Sequence, residues 1–184
     1  IDYIQVLKDY PTGTVYVKLD ASGKPDYVIH ENVAWDHIGL TEDVKKLSAN
    51  ADAVCFGNLA QRSSETRETI QHLLEIVPEK CLRVFDVNLR QSFYNKTIIQ
   101  KSLERCDVLK LNDDELPVIG GCFGYEGSEE NIIGGLLRRF NLLLIALTKG
   151  DQGSRLVSKE ENSYLDSPKV EVVDTVGAGD AFTA

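Results

Sequence analysis

The spacing of apolar residues alternates between two patterns along most of the chain. Short apolar runs predict strands at residues 51–57, 82–86, 107–111 and 142–147, the first of them buried, and a further strand at residues 155–158 follows a glycine turn. Apolar residues that recur every three or four positions, together with capping signals, predict helices at residues 41–49, 61–77, 97–103, 112–119 and 129–140. This alternation predicts an α/β fold with a parallel sheet covered on both faces. Ligands in such sheets bind beyond the carboxyl ends of the strands.

The first part of the chain has a different pattern. Residues 14–19 and 27–29 are rich in β-formers and flank a turn that contains Gly23, which predicts a β-hairpin. An edge hairpin without a special function has the same pattern. Trp35 follows, and its ring is suited either to stacking on a sugar or to packing in a core.

The last stretch carries the strongest chemical pattern. A β-branched run that includes Val172 and Val173 predicts a strand, which ends at Gly177 and Gly179 before Asp180 enters a predicted helix. Glycine lets the backbone approach a ligand, and the first amides of a helix attract anions. The stretch is neither a Walker A loop nor a dinucleotide fingerprint. A glycine turn with a dipole-stabilising acid is the simpler alternative.

Over nine consecutive positions, residues 174–182 (DTVGAGDAF) resemble the C-terminal signature of the ribokinase-like (PfkB) carbohydrate kinases. The resemblance implies a three-layer α/β sandwich with a mostly parallel sheet and a small β lid. It also implies that Asp180 is the catalytic base and that Thr175 contacts the nucleotide. The backbone amides of an anion hole for the transferred phosphoryl group are implied at three residues: Gly177, Ala178 and Gly179.

The loop after the second predicted strand combines an acid, an amide and a cation. Asp86, Asn88 and Arg90 are suited to binding sugar hydroxyls and phosphate, although a solvated turn would contain the same residue types. Residues 85–94 (FDVNLRQSFY) resemble the matching loop of fructokinases within the family. The resemblance implies that Asp86 and Asn88 bind the sugar and that Arg90 lies near the transferred phosphate.

Two further loops match family motifs. Asn112 and Glu115 have the spacing of a capping box, and they also resemble the family's N-x-x-E motif. The resemblance implies that Glu115 positions Mg²⁺ through water, with Asn112 beside it and near the nucleotide. A glycine turn at residues 148–153 resembles the family's T-x-G-x-x-G turn against the nucleotide. Its matching residues are Thr148, Gly150 and Gly153, and Lys149 can add positive charge.

Composition narrows the function classes. A formal net charge of −9 argues against nucleic acid or an anionic membrane surface as a partner. There is no apolar run long enough for a membrane span, and the first residues do not form a signal peptide. The four cysteines are widely spaced, which favours buried thiols in a reducing cytoplasm, and the three histidines make no metal-binding pattern.

The resemblance implies an ATP-dependent sugar kinase, most like fructokinase, that uses Mg²⁺, and it leaves open whether a monovalent cation also binds. The alternatives are a kinase for ribose, 2-keto-3-deoxygluconate or a nucleoside, and a non-catalytic protein that binds sugar or nucleotide. We expect a β lid at residues 1–35, through which a homodimer forms, and a kinase core at residues 36–184. We also expect that the family's N-terminal strand and C-terminal helices are missing.

Overall fold

A computed structural model describes residues 3–19, 25–172 and 175–184 of the chain. These residues form two compact units. Unit 1 comprises Ile1–Ala51 and Ala60–Pro78, and unit 2 comprises Asp52–Leu59 and Glu79–Ala184. The lid boundary predicted at residue 35 therefore falls inside unit 1.

Unit 1 contains the predicted hairpin and two helices. Strands β1 (Val15–Leu19) and β2 (Pro25–Ile29) pair antiparallel, with Val17 opposite Tyr27. Helix α1 spans Glu42–Ser48, and Thr41 caps it as predicted by accepting a hydrogen bond from the Val44 amide at 3.3 Å. Helix α2 spans Ser64–Ile76.

Unit 2 is built on a six-stranded sheet in which the strands lie in chain order. Its strands are β3 (Ala53–Gly57), β4 (Leu82–Asp86), β5 (Val108–Asn112), β6 (Leu144–Thr148), β7 (Ser154–Val157) and β8 (Asn162–Leu165). Strands β3 to β6 pair parallel, whereas β7 and β8 are added antiparallel. This arrangement confirms an α/β fold with a mostly parallel sheet and a separate hairpin.

Four described helices belong to unit 2: α3 (Lys96–Leu103), α4 (Glu115–Cys122), α5 (Glu129–Arg139) and α6 (Ala178–Thr183). Asn95 and Ser128 cap α3 and α5 through their side-chain oxygens. The central strands carry fully buried side chains that the strand register places on one face of the sheet, where they form the core: Phe85, Leu109, Leu111, Ile145 and Leu147. In the described part of the chain, every helix is too short or too polar to cross a bilayer.

Several sequence predictions need correction. The sequence pattern did not predict strand β8, and Asn112 ends strand β5 instead of beginning a helix. The strand predicted around Val172 falls partly on Val173, which lies outside the described residues, and Val172 itself is not in a strand. The prediction that all four thiols are buried was also wrong. Cys81 and Cys106 are buried and Cys122 is half-buried, but Cys55 is exposed.

Candidate active site

Four parallel strands end at one edge of the sheet, and their register fixes which of the last residues are neighbours. Gly57 of β3 lies beside Asp86 of β4, and Asn112 of β5 lies beside Thr148 of β6. Since ligands bind beyond this edge in open parallel sheets, the three loops singled out after β4, β5 and β6 leave the sheet at the expected place.

A buried ion pair lies at this edge. Lys110 in β5 is opposite Asp86 in β4, and its ammonium donates to both carboxylate oxygens of Asp86, at 3.0 and 2.9 Å. Both residues are 8% exposed. Thr183 in α6 donates a third hydrogen bond to the same carboxylate at 2.8 Å. The Asp86 carboxylate is thus held by an ammonium and a hydroxyl.

Helix α6 begins as the sequence pattern predicts. Gly177 is its N-cap and has a left-handed φ of 79°, a conformation that costs glycine little. The Ala178 amide donates to the Thr175 carbonyl at 3.1 Å, which closes the turn. Asp180 lies in the first helical turn and is exposed. The carboxylate is thus accessible, and the first-turn amides lie beside it.

The pKa of the Cys55 thiol in β3 is affected by charged residues of the candidate site. Partial removal from water raises the pKa of the Cys55 thiol above its ordinary value, and the negative charge of Asp86 raises it further. Lys110 acts in the opposite direction, while Asp180 adds to the increase. The base candidate and the buried ion pair are therefore close enough to act electrostatically on the same thiol.

Glu115 connects two of the predicted loops. One carboxylate oxygen accepts from the Asn112 amide at 2.9 Å, and Asn112 Oδ1 accepts from the Glu115 amide at 2.8 Å. This is the reciprocal arrangement of a capping box. The other carboxylate oxygen accepts from the Leu89 amide at 2.7 Å. Glu115 is 7% exposed, so a buried carboxylate ties the loop after β4 to the start of α4.

The loop after β4 has an unusual backbone. Asn88 and Gln91 have left-handed φ angles of 46° and 49°, which asparagine tolerates better than most residues. Arg90 is exposed, and its guanidinium donates to the neighbouring Leu89 carbonyl at 3.1 Å. The Arg90 side chain is therefore accessible to an anion at this edge.

The turn after β6 depends on its glycines. Gly150 and Gly153 have left-handed φ angles of 55° and 95°. A Cβ at Gly153 would lie 2.0 Å from the Leu165 carbonyl oxygen, so no side chain fits there. Lys149 forms an ion pair with Glu129 at 2.6 Å, and this hydrogen bond is the main reason why the pKa of Lys149 is raised. Lys149 is therefore already paired.

Trp35 lies in unit 1, whereas all other predicted site residues lie in unit 2. The Arg62 guanidinium carbon is 4.0 Å from the centroid of the Trp35 ring, a cation–π contact. A Cβ at Gly13 would lie 2.2 Å from the indole nitrogen, so Gly13 packs directly against the ring edge. Much of the ring is thus in contact with unit 1 itself.

Lys110 and Thr183 are the site residues that sequence reasoning missed. The available signal was one lysine inside an otherwise apolar strand, Val108–Asn112, at a position that should be buried. A buried lysine needs an acidic partner, and Asp86 at the end of the preceding strand was the nearest candidate.

The described side chains can be checked for their ability to hold the expected Mg²⁺. No three His, Cys, Asp or Glu side chains among them are grouped closely enough to hold a metal ion. Mg²⁺ keeps most of its water and often uses only one or two carboxylates. Each Glu115 oxygen accepts one amide hydrogen bond, and an ionised carboxylate has further lone pairs. Glu115 therefore fits a contact with Mg²⁺ through water.

Comparisons with known proteins agree on one family. The family model described as pfkB family carbohydrate kinase matches residues 1–184. The chain is 27% identical over 179 residues to a fructokinase of Rhizobium leguminosarum, covering 95% of this chain and 53% of the relative. The chain spans about half the length of the curated relatives it matches.

Solved structures agree with this result. An uncharacterized sugar kinase of Pyrococcus horikoshii in complex with ATP has a TM-score of 0.74 and 26% identity, over 96% of this chain and 56% of the other. A fructokinase of Xylella fastidiosa with bound ATP has a TM-score of 0.83 over 96% of this chain and 56% of the other. At 18% identity, the second likeness concerns the fold alone.

Proposed function

Because the chain belongs to the pfkB family of carbohydrate kinases, we propose that its protein transfers the γ-phosphoryl group of ATP to a primary hydroxyl of a sugar. The proposed acceptor is fructose and the product is fructose 6-phosphate. The fructokinase relatives and the loop at residues 85–94 support this acceptor.

One observation carries the proposal. Asp180 is an exposed carboxylate in the first turn of a helix that begins at a left-handed glycine. Exposed first-turn amides favour a negatively charged group, and a carboxylate beside them can accept a proton. Phosphoryl transfer to a hydroxyl needs both functions at one place.

In the proposed reaction, the sugar hydroxyl oxygen forms a bond to the γ-phosphorus as the bond to ADP breaks. Asp180 takes the hydroxyl proton. Negative charge on the transferred oxygens is stabilised by the backbone at Gly177 and Gly179 and by the Arg90 guanidinium. The Ala178 amide, also predicted for the anion hole, already donates to the Thr175 carbonyl. Because the chain carries a net charge of −9, such local donors are needed to hold a triphosphate.

The remaining ligand assignments are also proposals. When bound, Mg²⁺ would neutralise phosphate charge, and Glu115 with Asn112 would hold it through water. The turn at residues 148–153 would lie along the nucleotide with Thr175. Asn88 would contact the sugar, while the Asp86 carboxylate is already engaged by Lys110 and Thr183. A sugar contact of Trp35 stays a prediction from the sequence.

Assembly into a homodimer through the hairpin belongs to the same proposal. Three consecutive residues of β1, Val15, Tyr16 and Val17, are more than half exposed, and Tyr27 of β2 is 46% exposed. Neighbouring strand residues point to opposite faces, so both faces of β1 carry uncovered apolar area. Sedimentation velocity of wild type and Tyr16→Glu tests this: we expect a dimer that the charged variant dissociates, and a monomeric wild type contradicts it.

A coupled assay of ADP release over a panel of fructose, ribose, 2-keto-3-deoxygluconate and nucleosides tests the reaction. We expect sugar-dependent ADP release that is greatest with fructose. Turnover with another acceptor would support the kinase activity but contradict fructose as the substrate. Heat stabilisation by sugar and ATP without any turnover would instead identify a binding protein and contradict the proposal.

A further inference from the structure

We infer that Lys110 is a positioning residue for the proposed phosphoryl transfer, and that it acts through Asp86 and Thr183 on the helix that carries Asp180. This inference rests on the proposed function. It assigns Asp86 to holding α6 and not to sugar binding.

The ion pair itself is unusual because of its burial. The Lys110 ammonium and the Asp86 carboxylate make two hydrogen bonds of 3.0 and 2.9 Å, and each side chain is about 10% exposed. Such a pair adds little to stability compared with apolar residues, since both charges lose their water. Its position at the carboxyl ends of β4 and β5 suggests a role in the site.

Thr183 connects this pair to α6. Its hydroxyl lies 2.8 Å from Asp86 Oδ2 and 3.0 Å from the Gly179 carbonyl, and its single proton favours the charged acceptor. Asp180 and Thr183 are three residues apart and therefore neighbours on the helix surface. The contact between Thr183 and Asp86 fixes the rotation of α6 and hence the direction of the Asp180 side chain.

Lys110 also approaches the anion loop directly. A Cβ built on Gly179 would lie 3.1 Å from the Lys110 ammonium, so the positive charge lies next to the Gly179 backbone. A poorly hydrated charge at this distance is weakly screened by solvent and salt. Lys110 is therefore placed both to orient α6 and to favour a phosphoryl group on the loop.

The most direct variants compare Thr183→Val, which removes the hydroxyl at nearly constant volume, with Thr183→Ser, which keeps it. We expect kcat of Thr183→Val to fall about 10- to 100-fold, the range for a lost hydrogen bond to a charged group. The KM for the sugar should change little. Thr183→Ser should recover most of kcat, which a general packing defect would not allow.

Lys110→Met tests the charge, and Arg83→Met is its control. Arg83 is in β4 and pairs with Asp107 at 3.7 Å, at the opposite end of the same strands. Both variants remove one cation from the same sheet, but only Lys110→Met should lower kcat by about 10-fold or more.

Each outcome has a distinct meaning. If wild type turns over but Thr183→Val keeps its full kcat, Lys110 does not position the base and the kinase proposal stands. Equal losses in Lys110→Met and Arg83→Met would also overturn the inference. If wild type shows no turnover with any sugar, the proposed function fails and this inference fails with it.

Discussion

The carboxylate of Glu115 accepts a hydrogen bond from the backbone N–H of Leu89 at 2.7 Å, although the two residues are 26 positions apart in the chain. Its other oxygen accepts the Asn112 amide. Both carboxylate oxygens of this buried side chain thus help to hold the edge of the sheet where the candidate active site lies.

Replacement of Glu115 by glutamine should loosen this edge. Glutamine keeps one acceptor and puts an NH₂ group against a backbone N–H, so one hydrogen bond is lost. We expect roughly 1.5–3 kcal/mol less stability in urea unfolding and a higher Mg²⁺ requirement. Asp114→Asn is the control, since Asp114 is exposed and gives α4 no side-chain cap. Equal stability of the two variants would argue against the clamp.

We predict that glycine is needed at position 177 because of the backbone angle there, and not because a side chain would clash. A Cβ there meets nothing within 4 Å, but φ is 79°. Gly177→Ala should therefore cost about 1–2 kcal/mol in the turn and reduce turnover, whereas Gly177→Asn should retain more because asparagine tolerates this region. Steady-state turnover rates of the two variants test this expectation. Equal rates for alanine and asparagine would show that the left-handed angle is unimportant.

Asp36 should make the protein's stability dependent on acid pH. Burial of Asp36 raises its pKa, but hydrogen bonds from Arg62 and the Val33 amide outweigh burial, and the pKa lies below the ordinary 3.8. The charged form therefore stabilises the fold above about pH 4, and this contribution is lost as pH falls through the lowered pKa. The free energy of unfolding of Asp36→Asn should be about 3 kcal/mol lower than that of wild type at pH 7.

The measurement for Asp36 is urea unfolding at pH 7 and pH 3. The difference between wild type and Asp36→Asn should shrink at pH 3. Glu42→Gln removes an exposed ion pair with Lys45 and should unfold like wild type at pH 7. A constant difference for Asp36→Asn at both pH values would contradict the assigned ionisation.

Two glycines of unit 2 should respond in opposite directions to alanine. At Gly153 a Cβ would lie 2.0 Å from the Leu165 carbonyl, and φ is 95°, so Gly153→Ala should displace β8 and destabilise the fold. At Gly121, inside α4, a Cβ meets nothing within 4 Å. Gly121→Ala should stabilise by roughly 0.5–1 kcal/mol. Thermal unfolding of the two variants measures these changes in stability. Destabilisation by both substitutions would contradict the expectation for Gly121→Ala.

Sequence reasoning predicted those parts that depend on local patterns. Thr41 and Gly177 begin helices as expected because capping and left-handed angles are properties of short segments. Strand β8 was missed because residues 162–165 are exposed and lack an apolar alternation. Asn112 was assigned to a helix because the capping-box pattern extends back into the strand.

The contacts within the site were not predictable in the same way. The pairing of Lys110 with Asp86 depends on the register of two strands, and the Thr183 contact joins residues that are 97 positions apart. Only the packed sheet brings these side chains together. The sequence pattern therefore indicated where the site would lie, while the structure identified which residues support it.

The central claim is that Asp180 is the base for phosphoryl transfer, and the kcat of Asp180→Asn in the full-length protein tests it most directly. The substitution keeps the size of the side chain but removes its ability to take a proton. We predict that kcat with fructose falls roughly 10²- to 10⁴-fold, while the affinity for ATP, measured by calorimetry, stays close to that of wild type. A kcat near the wild-type value would contradict the account.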